Sequence, residues 1–310
     1  MSPLLVPLVL PIAAHPLARC AARRLAPIPA LYVLTASSVV LAGASVITLG
    51  TLVLAGLLTL HGLAALAELV HPLHTATGLF ALPVAGAAVG ALAISTWTLT
   101  RWAVRQLRSF RSATDVADRR PTAGDLCVIE SPHPDAYALP GRPHRVVVTT
   151  AMLRSLDAAE RDALLAHERA HNQAHHHYFL AAAELAAHCH PALRAPRTAI
   201  RLAVERAADE AAARATGDRR LTARAIARAA LATHAARTKH PTRPDFAPAA
   251  TSGPVPQRVA ALLAPAPRAH ATYWIAVLLA CCAALSATVG ATGVVSFHHE
   301  VEVAQGEESR

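Results

Sequence analysis

The segment from Leu164 to His177 reads LLAHERAHNQAHHH and places two histidines four residues apart around a glutamate. His167 and His171 have the H-E-x-x-H spacing, and residues four apart lie on the same face of a helix. Both imidazoles can therefore reach one metal ion, while Glu168 lies beside that face and could accept a proton from a metal-bound water. A polar helix face with accidental histidines is the alternative, and the spacing by itself leaves that alternative open.

A third metal ligand must come from another part of the chain. A catalytic zinc ion usually takes three protein ligands and leaves one position for water. His167 and His175 would be about 12 Å apart along a straight helix at ~1.5 Å per residue. Because Zn–N bonds are ~2 Å long, one helix cannot bring both of these histidines and His171 to one ion. We expect most of the other nearby histidines to be partly solvated: His175, His176, His177, His188 and His190. The alternatives are that some of them support the ligands from behind or bind metal loosely at the surface.

An acidic pair in the segment AVERAADEAAA could complete the site. Glu205 and Asp209 are four residues apart and share a helix face. One carboxylate can bind the metal while the other accepts a hydrogen bond from a ligand histidine and fixes its tautomer. The competing interpretation is a solvated acidic edge paired with Arg201 or Arg206.

The composition is that of a membrane protein, with 54% apolar residues, 16% charged residues and a mean hydropathy of +0.35. About twenty apolar residues suffice to cross a bilayer as a helix, and residues 31–60, 78–100 and 273–297 are uncharged and long enough. Residues 3–18 are fewer and contain prolines, so they could be a first span or a signal peptide. We favour a retained span, because no basic residue precedes the segment and no small-residue cleavage site follows. The sequence thus predicts four spans and a lipid bilayer as a partner.

The charges beside these spans predict one orientation in the cell membrane. Basic residues cluster after the first and third spans, and acidic residues follow the fourth. The positive-inside rule then places residues 19–30 and 101–270 in the cytoplasm. It places the N-terminus, the 61–77 connector and the C-terminal tail outside.

Neither the positive charge nor the cysteines indicate another kind of site. The net charge is +9, but the arginines lie beside spans or scattered on helices, without the interleaved aromatic residues of a base-stacking surface. We therefore predict no nucleic-acid partner. The five cysteines show no paired metal-ligand spacing, and we predict free thiols.

The predicted fold is mainly α: four transmembrane helices with a cytoplasmic α+β domain that carries a small β-sheet. Residues 1–103 form the membrane domain, residues 104–270 the cytoplasmic domain, residues 271–297 the fourth span and residues 298–310 a short tail. Two short apolar runs, Leu126–Ile129 and Val146–Thr150, are bounded by Pro, Gly and Asp and predict strands.

Three helices are predicted in the rest of the cytoplasmic domain. Asp157 and Glu160 form a capping-box pattern, which opens a helix that we expect to run at least to Tyr178. A second helix covers about residues 199–215 and ends at Gly217. A third covers residues 221–236, and a Pro-rich linker follows.

The combination of H-E-x-x-H with E-x-x-x-D, in which Glu205 lies 34 residues after His171, resembles the gluzincin membrane metallopeptidases. The resemblance is closest to the family of the BlaR/MecR β-lactam sensor-transducers. It is more distant to the HtpX heat-shock proteases and the CAAX prenyl proteases. Residues 135–171 look like the block that precedes the zinc helix in that family, and three spans before the zinc domain with one after it also match.

This resemblance implies a zincin-like endopeptidase that hydrolyses protein or peptide substrates at the cytoplasmic face, in regulated proteolysis or signalling. By the resemblance, His167, His171 and Glu205 bind Zn²⁺ and Glu168 is the general base. Asp209 orients a ligand histidine. In the sensor-transducers the substrate is a transcriptional repressor, which makes a repressor one candidate substrate here.

The resemblance also suggests residues that would contact the substrate. In the family an edge strand of the sheet pairs with the substrate, and the candidates here are Val146, Val147, Val148 and Thr149. The alternative is an internal strand paired on both sides. Distant relatives carry a His-Pro pair shortly before Arg-Ile or Arg-Val. His240 and Arg258 are farther apart here and are candidates for stabilising the transition state, against the alternative of ordinary loop and surface residues.

Two other functions remain to be weighed. A membrane signalling module could bind zinc without proteolytic activity, and a structural or transport protein could carry the motif by accident. A purely structural zinc site needs no base and usually closes its fourth position with a protein ligand, so Glu168 favours the peptidase. Transport would favour buried ionisable residues in the spans, and the three long apolar segments contain none.

Overall fold

The computed structural model describes residues 5–60, 78–236, 254–265 and 273–304, and over these residues the chain is mostly helical. Four long helices pack together, and α2 contacts each of the other three. Their bounds are α1 Val6–Arg24, α2 Pro27–Leu57, α3 Gly78–Asp118 and α10 Tyr273–Ala304.

Three of these helices are long and apolar enough to cross a membrane: Pro27–Leu57, Ala81–Asp118 and Tyr273–Val303. They correspond to the three long apolar segments of the sequence. Helix α1 has 19 residues with Pro11 and Pro16 inside it, and it is not one of the three. The first span and the orientation therefore stay predictions. The 61–77 connector lies outside the described residues, and residues 298–304, predicted as tail, continue α10.

The sheet has four strands in the order β1-β2-β4-β3. Strand β2 runs parallel to β4, while β1 pairs with β2 and β3 pairs with β4 in antiparallel fashion. Strands β2 and β4 agree with the two predicted apolar runs, whereas the short β1 and β3 were not predicted. The bounds are β1 Thr122–Ala123, β2 Leu126–Ile129, β3 Ala136–Leu139 and β4 Arg145–Thr149.

The prediction that Val146, Val147, Val148 and Thr149 form an edge strand is wrong. This strand, β4, is paired on both sides, by β2 and by β3. All four side chains are buried. A continuous apolar run buried on both faces is typical of an internal strand, whereas an edge strand exposed on one face shows alternation. Among the described residues the edge next to β4 is β3.

The described residues include seven further helical segments, and one predicted helix is divided. The capping box is confirmed, because the Asp157 side chain accepts a hydrogen bond from the Glu160 amide and the Glu160 side chain accepts one from the Asp157 amide. The helix does not continue to Tyr178, since His175 adopts the left-handed conformation with φ of 51°. The segments are α4 Thr150–Ser155, α5 Ala158–Gln173, α6 His176–Cys189, a 3₁₀ turn Pro191–Leu193, α7 Arg194–Thr216, α8 Arg219–Ala235 and α9 Val255–Leu263.

Helix α7 lies between the long helices and the smaller ones. It contacts α1 and α2 on one side and α5, α8 and α9 on the other. The apolar contact with the long helices forms one buried cluster, in which Ile200, Ala203 and Val204 of α7 pack with Leu31 and Leu34 of α2. This packing holds α7 in place beside α5.

Gly217 ends α7 in the left-handed conformation, with φ of 69°. We expect Gly217→Ala to lower the free energy of unfolding by about 1–2 kcal/mol, because a Cβ is disfavoured at this φ. Gly90→Ala is the matched control, since its added Cβ meets nothing within 4 Å in helix α3. Denaturant unfolding in detergent would measure both. Equal stability of Gly217→Ala and the wild type would contradict the expectation.

Candidate metal centre

Three side chains from two helices meet at one buried point. His167 and His171 lie on α5 and Glu205 lies on α7, and one ligand atom from each lies within 4.8 Å of the others. The Nε2 atoms of the two histidines are 3.0 Å apart. Nε2 of His167 is 3.6 Å from Oε2 of Glu205. All three residues are buried.

This arrangement fits a zinc ion. Two atoms that each lie 2.0–2.1 Å from a tetrahedral zinc are about 3.3 Å apart, close to both separations seen here. Two imidazoles and one carboxylate are also a donor set that zinc takes in catalytic sites, where a fourth position stays open. The three residues therefore suit the metal in both type and spacing.

Asp209 lies behind His167. Its Oδ1 is 3.0 Å from Nδ1 of His167. A hydrogen bond from Nδ1 leaves the Nε2 lone pair directed at the metal position. Burial lowers the pKa of His167, but hydrogen bonds with Asp209 and Glu205 outweigh it and raise that pKa to about 9. The same carboxylates create a negative potential that favours a metal cation.

Arg258 of α9 is buried and contacts both carboxylates of α7. Its Nε and Nη2 donate to the two oxygens of Asp209 at 2.8 and 2.6 Å. Its Nη1 is 3.0 Å from Oε2 of Glu205. Burial alone would raise the pKa of Asp209, but the charge and hydrogen bonds of Arg258, together with His167, hold that pKa below its usual value. The alternative of an ordinary surface residue is thus wrong for Arg258.

The acidic pair is not a solvated edge either. Arg201 pairs with Glu184 at 2.6 Å. Nη1 of Arg206 donates to the carbonyl of Ala22 at 2.6 Å. These two arginines therefore pair elsewhere, and Arg258 is the cation that contacts both Glu205 and Asp209 among the described residues.

Two other predicted site residues are Glu168 and His240. Glu168 is completely buried on α5, next to His167 in the chain. Its charge contributes to the electrostatic environment of Arg258. His240 lies outside the described residues.

His176 belongs to the site, and the expectation that it is partly solvated is wrong. It is buried, and its Nδ1 is 2.9 Å from Nδ1 of His171. Burial, followed by the charge of His167, lowers the pKa of His176 to about 4. On an uninterrupted helix a residue five positions after His171 would face another direction, so the sequence spacing carries no signal for this contact. The other nearby histidines are partly or fully exposed, as expected.

Residues 104–194 match the model of Peptidase family M48, which supports a metal-dependent peptidase. The matched segment contains His167, Glu168 and His171 but ends before Glu205, so the third ligand is supported by geometry. The closer resemblance to the BlaR/MecR family stays a prediction. No curated protein and no solved structure matches the chain.

We expect Arg258→Met to lower the free energy of unfolding by about 3–5 kcal/mol, because it removes the cation between two buried carboxylates. Arg169→Met is the matched control. Arg169 also binds an aspartate, Asp125, through two nitrogens, but side chains of that pair are 42% and 39% exposed. Exposed pairs contribute roughly 0–1 kcal/mol. Denaturant unfolding of both variants in detergent measures the difference, and similar losses would show that burial is unimportant.

Proposed function

We propose that the protein is a membrane-embedded, zinc-dependent endopeptidase. The observation that carries the proposal is the meeting of His167, His171 and Glu205 from two separate helices at one buried point. The M48 match at residues 104–194 supports the peptidase class and hence protein or peptide substrates. The three apolar helices support a membrane location.

In this proposal His167, His171 and Glu205 hold the zinc and Glu168 moves the proton. A zinc ion at this position supplies Lewis-acid chemistry, since it polarises a carbonyl and lowers the pKa of water. Glu168 accepts the proton of the attacking water and passes it to the leaving amine. The position of Glu168 supports this role, because it is buried and directly follows the ligand His167 in the chain.

Asp209 and Arg258 act in the proposal as positioning residues. The Oδ1 atom of Asp209 lies 3.0 Å from Nδ1 of His167. A hydrogen bond donated by this nitrogen to Asp209 would keep the His167 ring directed at the metal. Arg258 balances the charge of Asp209 and fixes one oxygen of Glu205. We favour this role over transition-state stabilisation, because the guanidinium already contacts both carboxylates.

Strand β3 is the candidate substrate-binding strand, in place of β4. It forms one of the two edges of the sheet among the described strands, and it contacts the metal-binding helix α5. An extended peptide can add to such an edge through main-chain hydrogen bonds. Two features support this choice: among the described strands β3 pairs only with β4, and it lies beside α5.

The finer proposals concern orientation and substrate. Arg101, Arg105, Arg108 and Arg111 follow the apolar part of α3, and the positive-inside rule then supports a cytoplasmic site. The resemblance to the BlaR/MecR sensor-transducers supports regulated proteolysis, with a transcriptional repressor as one candidate substrate.

The role of Glu168 is tested by Glu168→Gln in the full-length protein in membranes. We expect cleavage of peptide substrates to fall by about 10²–10⁴-fold with zinc retained, because the variant loses the base but no ligand. Asp162→Asn is the matched control, an exposed carboxylate on the same helix. Equal cleavage by Glu168→Gln and the wild type would exclude the base. Bound zinc without cleavage in either protein would favour the non-proteolytic signalling module.

The third ligand is tested by Glu205→Gln. We expect its zinc affinity to fall by more than the roughly 10–100-fold that is typical of losing a residue behind a ligand. Glu210→Gln is the control, because Glu210 lies on the same helix and pairs with Arg219 instead. Zinc binding is measured by competition with a chelator. Unchanged affinity in Glu205→Gln would remove this residue from the ligand set.

A further inference from the structure

His171 is in contact with two other histidines through opposite sides of its ring. Its Nε2 lies 3.0 Å from Nε2 of His167, on the side of the metal position. Its Nδ1 lies 2.9 Å from Nδ1 of His176, and the two rings meet edge to face with their centroids 4.9 Å apart. His176 itself is buried.

The direction of the His171–His176 hydrogen bond follows from the position of the metal. A neutral imidazole has one protonated nitrogen and one lone pair, and a ligand nitrogen must present the lone pair. If Nε2 of His171 binds the metal, its proton is on Nδ1, which then donates to Nδ1 of His176. His176 must accept with Nδ1, so its own proton is on Nε2.

The chain reaches this geometry only because the helix stops between the two residues. On a continuous helix, residues five apart do not face each other. Here α5 ends at Gln173, His175 adopts the left-handed conformation with φ of 51°, and α6 begins at His176. A non-glycine residue in this conformation is uncommon and costs energy. The break places the His176 ring beside His171.

We propose that His176 is a positioning residue that holds His171 in the Nδ1–H tautomer and so directs its Nε2 lone pair at the metal. The inference rests on the proposed metal site. It adds to that site a residue that lies outside the H-E-x-x-H and E-x-x-x-D motifs. His176 of α6 thus has the same role behind His171 that Asp209 of α7 has behind His167: each fixes the tautomer of a ligand histidine.

Substitutions at His176 in the full-length protein test this role through zinc affinity, measured by chelator competition in detergent. His176→Phe keeps a ring and removes the acceptor, and we expect it to weaken zinc binding about 10–100-fold. His176→Asn places its Oδ1 where Nδ1 was, so we expect it to restore most of the affinity. His176→Gln carries its oxygen one bond farther out, so we expect it to bind zinc more weakly than His176→Asn.

The matched control is His177→Phe, because His177 is only partly buried and its ring contacts His175 and Tyr178 instead. We expect its zinc affinity to equal that of the wild type. Nitrogen NMR of the zinc-loaded wild type provides a second readout, with the proton of His171 on Nδ1 and that of His176 on Nε2. A merely structural role for His176 would not specify these tautomers.

The outcomes separate this inference from the proposed function. Wild-type affinity in His176→Phe, or His171 protonated on Nε2, would overturn the positioning role while the zinc site stands. If His176→Phe does not fold, the zinc affinities of His176→Asn and His176→Gln decide. Equal affinities of these two variants would overturn the positioning role. A wild type that binds zinc with the expected pattern but cleaves no peptide supports the inference and removes the peptidase. A wild type that binds no zinc overturns both.

Discussion

The burial of two carboxylates on one helix face is the constraint on which the site depends. Glu205 and Asp209 are both buried, and an unpaired buried carboxylate costs several kcal/mol. They are held from two directions, by a close contact with His167 of α5 and by the positive charge of Arg258 of α9. Helices α5, α7 and α9 must therefore stay in register with one another. The metal ligands occupy fixed positions because moving any one of these helices would leave a buried charge without its partner.

Helix α7 also connects this site to the long apolar helices. Glu205 and Arg206 are neighbours in the chain but point to different sides of α7. Glu205 faces the two histidines of α5, while Arg206 donates to the carbonyl of Ala22 near the end of α1. The apolar residues of α7 pack against α1 and α2 in the same cluster. The position of Glu205 is thus set by the long helices α1 and α2 as well as by the smaller helices around the metal site.

Local patterns predict much of this structure, and long-range contacts limit the rest. The capping box at Asp157 and the spacing of His167 and His171 depend on a few neighbouring residues, so the sequence reveals them. Arg258 reaches Asp209 across 49 residues, and no local pattern reports such a contact. The family resemblance predicts an edge position for strand β4, although its run of buried valines favours an internal strand. The break at His175 depends on tertiary packing, and no glycine or proline marks it in the sequence.

The two ligand histidines, His167 and His171, have chemically different partners behind them, and charge explains the difference. Asp209 can lie behind His167 because Arg258 neutralises it. Glu168 and Glu205 already add two buried negative charges around the same point, with Arg258 as the cation that contacts Glu205. A second carboxylate behind His171 would add another buried charge that needs a partner of its own. An imidazole can accept the hydrogen bond without adding charge. The neutral ring of His176 therefore suits this position, and the left-handed turn at His175 is the backbone feature that brings it there.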